Sequence, residues 1–491
     1  MLGNMQKYQI LPFTFKSICK DKILLVNQVG EFIVLNFNDF QRFKSIGLNC
    51  NEELYSDLKA KHLLADTNDG LDLAVDLLAT KLRTRKAFLV NFTALHMMVV
   101  TLRCNCRCTY CHASSVDIHK KNFDMTWNIA KNTIDIIFQT PAPAIKIEFQ
   151  GGEPLLNWDI IKESVLYAEF LNKFINKQVD FIICTNLINI DKDKLDFCKK
   201  HHILISTSLD GYRQHHDLHR KTVDGSSAYG SFIRNLKLTQ EILGVDNCSA
   251  LLTITKDNIK DLRSIIDHYV ELGFKSIFLR ALNPYGNAVI NYKDLGYTIN
   301  EFITAYKDAL DYIIQLNIKG TNFVESYTTL LLSRILTPFS TGFVDLQSPS
   351  GAGISGAIYY YNGEVYPADE ARMLARMGDR KFYIGHVLKD KYKDIFNGSV
   401  IRDIVYNSCV ENMPICADCA YQQYCGADPI RNYLETKDIV GNRLCSDFCY
   451  KNENILDYLF KLIIENNPDV MSVFWSWITK RTLEEVKIEN N

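Results

Sequence analysis

The sequence predicts an α/β fold in which a parallel sheet with crossover helices lies between a small N-terminal α+β unit and a cysteine-rich C-terminal unit. Three observations lead there. From His96 to about Asn283 an apolar, strand-like run is followed by an amphipathic helical stretch six times over, and parallel neighbours need such crossovers because a tight hairpin cannot join them. The length of 491 residues exceeds what one ordinary core organises, so two to four structural units are expected. Fifteen cysteines, an odd number gathered in close-spaced groups, point to metal ligation in a reducing compartment and not to a disulfide framework.

Composition narrows the function. Hydrophobic residues make up 47%, charged residues 23%, and the net charge is -2, so no global field favours a nucleic-acid partner. No window approaches the ~18 uninterrupted apolar residues of a spanning helix. Met1 to Lys20 lacks the apolar centre of a signal peptide. The expected location is the cytoplasm.

Residues 8 to 64 read as two short strands, Lys22–Asn27 and Glu31–Asn36, turning at Gly30, then a helix capped by Asn38 or Asp39 and carrying Phe40 and Phe43, then a helix with Leu54, Leu58 and Leu63. A helix from about Leu71 to Lys86 ends in the basic run Lys81-Leu-Arg-Thr-Arg-Lys86, a complement to the helix dipole. The six apolar runs are Met97–Leu102, Ile145–Phe149, Val179–Cys184, Ile203–Leu209, Ala250–Ile254 and Ser276–Leu282. Residues 287 to 345 carry helical patterns, Ile299–Ile314 and Glu325–Leu336, and read as a linker; a hairpin turning at Asn362-Gly363 follows. The expected units are 1–95, 96–286, 287–345, 346–455 and the C-terminal helices 456–491.

The chemistry centres on Thr101-Leu-Arg-Cys-Asn-Cys-Arg-Cys-Thr-Tyr-Cys-His112, directly after the first apolar run. Cys104, Cys108 and Cys111 supply three thiolates to a cluster that normally takes four, which leaves one iron open. A zinc knuckle is the alternative, but this spacing with only His112 as nitrogen ligand suits zinc poorly. Downstream, Cys416-x2-Cys419-x5-Cys425 with Cys449 or Cys445 reads as a second cluster or as a zinc site.

The Cys-x3-Cys-x2-Cys spacing, with Tyr110 before the third cysteine, resembles the signature of radical S-adenosylmethionine (SAM) enzymes. The resemblance implies a partial six-stranded (β/α)6 TIM-type barrel whose [4Fe-4S] cluster binds SAM at its open iron, with functional loops at the C-terminal ends of the strands. Each strand end then has an expected role. Gly151-Gly152-Glu153 binds the SAM amino group, Ser208 and Arg220 meet its hydroxyl or carboxylate groups, Asn186 after the third strand and Tyr110 belong to the same cofactor-binding set, and the backbone around Leu282 faces the adenine. A turn, a helix cap and a surface ion pair are the structural alternatives for the glycines, Ser208 and Arg220.

The C-terminal constellation resembles the SPASM auxiliary-cluster domain of peptide-modifying radical SAM enzymes. Three ligands expected for the barrel-proximal auxiliary cluster are replaced by Ser350, Ala368 and Pro429, which implies one auxiliary [4Fe-4S] cluster on Cys416, Cys419, Cys425 and Cys449, with Cys445 the alternative fourth ligand. Asp369 stands where sulfatase-maturing relatives carry a base, or simply pairs with Arg372. The two-strand-plus-helices unit at the N-terminus resembles leader-peptide recognition domains; a packing domain is the alternative. Along its length the chain is similar to the His-Xaa-Ser system radical SAM maturases, through stretches such as His96-Met-Met-Val-Val-Thr-Leu-Arg-Cys104 and Asp369-Glu-Ala-Arg-Met-Leu374. This implies a ribosomal precursor peptide as substrate, a second radical SAM protein as partner, and an electron donor such as flavodoxin or ferredoxin. The modification is a crosslink, an epimer or an oxidised side chain.

Overall fold

The computed structural model describes residues 8–66 and 70–489. Six parallel strands form its centre: β1 (Leu95–Thr101), β2 (Ala144–Gly151), β3 (Gln178–Cys184), β4 (Ile203–Ser208), β5 (Cys248–Thr253) and β6 (Ser276–Arg280), adjacent in that order. Their alternation decides which face is buried. On β2, Ile145, Ile147 and Phe149 pack under the crossover helices, whereas Lys146 and Glu148 line a cavity of about 690 Å³ with Asp180 and Ile182 of β3.

The sheet does not stop at six strands. Strand β7 (Gly356–Tyr359) lies parallel to β1, with Gly356 opposite Leu95 and Tyr359 opposite Met98. It turns at Gly363, φ 91°, into antiparallel β8 (Glu364–Tyr366). At the other edge Val324–Glu325 adds to β6. Residues 287–345 therefore are not a mere linker. The helix Ile299–Ile318, begun by a Thr298–Glu301 capping box, buries Phe302, Tyr306, Leu310 and Ile313 on one stripe. Fully buried Glu325 then accepts hydrogen bonds from Tyr306 and from the backbone N–H groups of Leu279 and Thr328, which locks the added strand to the helix.

The N-terminal sheet has three antiparallel strands, Phe13–Cys19, Lys22–Asn27 and Phe32–Asn36, one more than the sequence suggested. The first was missed because Phe13–Cys19 is only half buried and carries Thr14, Lys16 and Ser17 between its apolar residues. Asn36, not Asn38 or Asp39, caps the next helix: its side chain accepts the Asp39 N–H at 2.8 Å. The helix Gly70–Arg85 carries the basic run, but the run does more than answer a dipole. The Arg85 guanidinium donates to the backbone carbonyls of Arg334, Gln423 and Thr337, and Lys86 pairs with Glu411 at 2.5 Å. These bonds tie the N-terminal unit to the C-terminal one. The helix Asp447–Glu465 runs through the expected boundary at 455/456, so the last helices continue the cysteine-rich unit. No helix among the described residues is long and apolar enough to cross a membrane.

Candidate active site

Thr101 ends β1, and the cysteine loop begins there, at the C-terminal edge of the barrel. Arg103, nearly buried, anchors the loop: it pairs with Asp124 at 2.7 Å and donates to the carbonyls of Leu156 and Ile118. Cys106–Cys108 forms a short antiparallel ladder with Arg220–Thr222, with Arg220 opposite Cys108. Arg220 donates to fully buried Asp210 at 2.8 Å, Tyr110 also donates to Asp210, and the guanidinium lies over the Tyr110 ring at 5.4 Å. Arg220 is thus no surface residue. Sequence reasoning missed Asp210; a carboxylate two residues past a strand end, with a cation beyond it, was the available signal.

Glycines close the other side of the loop. A Cβ on Gly151 would stand 2.1 Å from the Thr101 carbonyl, and one on Gly152 2.4 Å from that of Arg103, so the close approach they permit is to the chain itself. Glu153 is fully buried; its carboxylate accepts hydrogen bonds from Thr185, Asn186 N–H and Leu155 N–H. Burial pushes its pKa up to about 7 against those donors. A carboxylate has about four acceptor positions, so capacity for an ammonium remains. Asn186 reaches Asn105 of the cysteine loop at 2.7 Å. Ser208 ends β4, half-buried, opposite Leu251. Leu282 packs with Tyr110, Ala288 and Leu295, and its N–H donates to Tyr297, so the backbone donor beside the expected adenine position is already engaged. The segment after β6 also closes on the loop, Asn287 N–H donating to the Cys111 carbonyl at 3.0 Å.

The thiols carry their own test of fit. The hydrogen bond with Cys106 and then burial raise the pKa of Cys104, and burial raises that of Cys108, with the charge of Arg220 opposing it there but not prevailing. Such thiols stay protonated unless a strong cation ionises them, as iron does. In the C-terminal unit Cys416, Cys419, Cys425 and Cys449 line one cavity of about 450 Å³, with Phe15 and Lys16 of the N-terminal sheet at its rim. Burial raises Cys419 to about 12 and Cys449 to about 11. Cys445 is exposed, beside Asn442, and does not line this cavity. Among the described residues no three His, Cys, Asp or Glu side chains gather as closely as a single ion requires. Four thiols around one cavity are the donor set of a [4Fe-4S] cluster or of a tetrahedral zinc site.

Where the proximal auxiliary cluster would lie, protein fills the space. Ala368 and Ile430 pack with Ala352, Ile358, Tyr366 and Leu374, and the Ser350 N–H donates to Ser408 at 2.9 Å. A hydrogen-bonded chain runs nearby instead: Tyr327 donates to Asn452 at 2.7 Å, and Asn452 donates to the Cys425 sulfur at 3.6 Å. Asp369 heads the helix Asp369–Arg376 and pairs with buried Arg372 at 2.6 Å, while Arg372 also reaches the Ala113 carbonyl just past the cysteine loop. Ion pairing and a place at the barrel mouth therefore coexist. Glu370 escaped the sequence reading altogether. Burial, then the charges of Asp345, Asp428 and Asp369, push its pKa up to about 8.

Residues 98–269 match the family model of the radical SAM superfamily. Those residues are a radical SAM domain. The chain is 29% identical over 191 residues to an uncharacterised protein of Methanocaldococcus jannaschii, which covers 38% of this chain and 62% of that protein. It is 23% identical over 384 residues to a cysteine-type anaerobic sulfatase-maturating enzyme of Clostridium novyi, covering 73% of this chain and 95% of that enzyme. Among solved structures, native anSMEcpe with bound AdoMet superposes with a TM-score of 0.62 at 18% identity, covering 76% of this chain and 98% of that one. Streptococcus suis SuiB bound to precursor peptide SuiA gives 0.51 at 15%, covering 88% and 98%. These likenesses establish the fold, a radical SAM α/β barrel with a SPASM-type cysteine-rich region. A [4Fe-4S] cluster and SAM are the cofactors of the radical SAM domain.

Proposed function

We propose that this chain modifies a ribosomally made peptide by radical chemistry. In this reading Cys104, Cys108 and Cys111 hold the SAM-binding cluster, and Cys416, Cys419, Cys425 and Cys449 hold one auxiliary [4Fe-4S] cluster. The observation that carries it is the presence of a three-thiol loop at the barrel mouth together with a separate four-thiol cavity in the C-terminal unit. Cluster and SAM, when bound, supply a 5'-deoxyadenosyl radical that abstracts a substrate hydrogen.

The protein's part is positional. Arg220, Asp210 and Tyr110 fix the cysteine loop, Glu153 offers acceptor capacity toward the SAM ammonium, and Asn186, Ser208 and Leu282 complete the surroundings. Asp369, fixed by Arg372, is the base that takes a substrate proton. A peptide substrate is supported by the precursor peptide bound to SuiB, by the peptide bound to anSMEcpe, and by the similarity to His-Xaa-Ser maturases. The open edge of the strand Phe13–Cys19 suits strand addition by a leader. A second radical SAM protein and a flavodoxin or ferredoxin complete the proposed partners.

A second reading, oxidation of a Cys or Ser in a protein as in the sulfatase maturases, is favoured by the coverage of the Clostridium novyi enzyme. Anaerobic protein given SAM, dithionite and the precursor peptide encoded beside it separates the outcomes. A crosslink or simple oxidation lowers the peptide mass by two hydrogens and epimerisation leaves it unchanged; absence of 5'-deoxyadenosine would return the chain to a non-catalytic binding role.

A further inference from the structure

Two cavities meet behind the C-terminal end of β6. The inner, of about 240 Å³, is lined by Arg280, Asp345, Arg431 and Lys451; the outer, of about 330 Å³, shares Ala281, Arg431 and Lys451 with it. At about 30 Å³ per water the inner space equals roughly eight waters, room for one side chain and not for a folded segment. The outer one is wide enough to serve as its vestibule.

The charges here are unusual in having few partners of their own. Arg280 and Lys451 form no ion pair or side-chain hydrogen bond with any described residue, and neither does the Asp345 carboxylate; Arg431 alone is paired, with Glu435 at 2.7 Å. Lys451 instead has its ammonium over the rings of Tyr327, 5.0 Å, and Phe448, 5.5 Å. Arg280 and Lys451 are half-buried at the cavity wall without an ion-pair partner, which leaves both able to pair with an entering anion. With Arg431 paired to Glu435, Arg280 and Lys451 face the Asp345 carboxylate on the inner wall, and the Glu370 and Asp428 carboxylates act on the same charges, so the cavity suits a monoanion and opposes a dianion. Phe278 and Phe343 supply an apolar wall for the methylene stem.

We infer that this cavity is a specificity pocket that receives a carboxylate of the substrate peptide on Arg280 and Lys451, entering through the outer cavity. The inference rests on the peptide reading and adds the residue class beside the modified position. Arg280 is the last residue of β6, and Asn287, a few residues on, bonds the cysteine loop; a carboxylate held there brings the adjoining peptide atoms to the barrel mouth.

The test uses the full-length, iron-reconstituted protein with SAM and three synthetic heptapeptides on one sequence: an internal Glu with an amidated end, an internal Gln with an amidated end, and an internal Gln with a free C-terminal carboxylate. Calorimetry should show the amidated Glu peptide, the free-acid peptide, or both binding at least about tenfold more tightly than the amidated Gln peptide, and whichever does so names the source of the carboxylate. Lys451→Gln and Arg280→Gln should each reduce that ratio at least about threefold, with Lys451→Arg retaining it. Equal affinity for all three peptides in the wild type overturns the proposal whatever the variants do, as does a ratio that survives the double variant with its iron content and melting temperature intact. 5'-Deoxyadenosine release is followed in matched anaerobic samples after dithionite is added as the electron source: its absence with discrimination intact sinks the radical reading and leaves the pocket, while release without discrimination does the reverse.

Discussion

Asp369 and Glu370 are neighbours with opposite circumstances. Asp369 is held by Arg372, and Asp369→Asn is expected to keep SAM binding and uncoupled 5'-deoxyadenosine while peptide product falls about 10²-fold, because hydrogen abstraction precedes proton loss. Undiminished product would leave Asp369 a structural partner of Arg372. Glu370 keeps its proton in the fold up to about pH 8, among Asp345, Asp428 and Asp369 with Arg280 opposing, whereas the unfolded chain releases it near 4.5. Between those values the folded state binds the extra proton, so its contribution to stability is complete below about pH 4.5 and is lost as pH rises toward 8. Melting scans should show a decline from pH 5 to 8 that is shallower by roughly 2 °C or more in Glu370→Gln; parallel curves would refute it. Sequence spacing gave no hint of Glu370, since its pKa is made by burial and by carboxylates of two distant segments, Asp345 and Asp428, besides its neighbour Asp369.

At the scale of elements the two thiol sets make separable claims. Reconstituted protein is expected to carry about eight irons, and replacing Cys104, Cys108 and Cys111 together by Ala should leave about four. Cys449→Ala should lower the auxiliary occupancy and Cys445→Ala should not, measured as iron and sulfide per chain; zinc at the C-terminal cysteines would overturn the second cluster. Asn452 donates to the Cys425 sulfur, and hydrogen bonds to cluster sulfurs raise reduction potential, so Asn452→Leu should shift the auxiliary signal to a more negative potential in a redox titration. The barrel strands were legible to within two residues because apolar runs and helical periodicity are local signals. The motif cysteines were legible by spacing. What escaped was made by tertiary pairing: Phe13–Cys19 as a third strand, Glu325 as a buried anchor, the Asp210 brace beneath Tyr110, and β7 as an addition to the barrel sheet.

Across the whole molecule, Arg85 bridges a helix of the N-terminal unit to backbone carbonyls at Arg334, Thr337 and Gln423. Arg85→Ala removes a donor from all three carbonyls, although that of Gln423 keeps its bond from Arg334, and a loss of about 1–3 kcal/mol in denaturant unfolding is expected; an unchanged midpoint would show that the N-terminal unit docks by other contacts. The junction of β7 with β1 has a further consequence, one of timing. Gly356 completes the pairing of Leu95 about 260 residues after Leu95 is made. At about 5–20 residues per second, a ribosome leaves that edge of β1 unpaired for roughly 13–50 s, with Cys104, Cys108 and Cys111 just beyond it and the chain's own covering strand still untranslated. The nascent protein in this interval is a sheet edge in search of a neighbour, and a chaperone or an early-arriving iron carrier would meet it before the C-terminal third does.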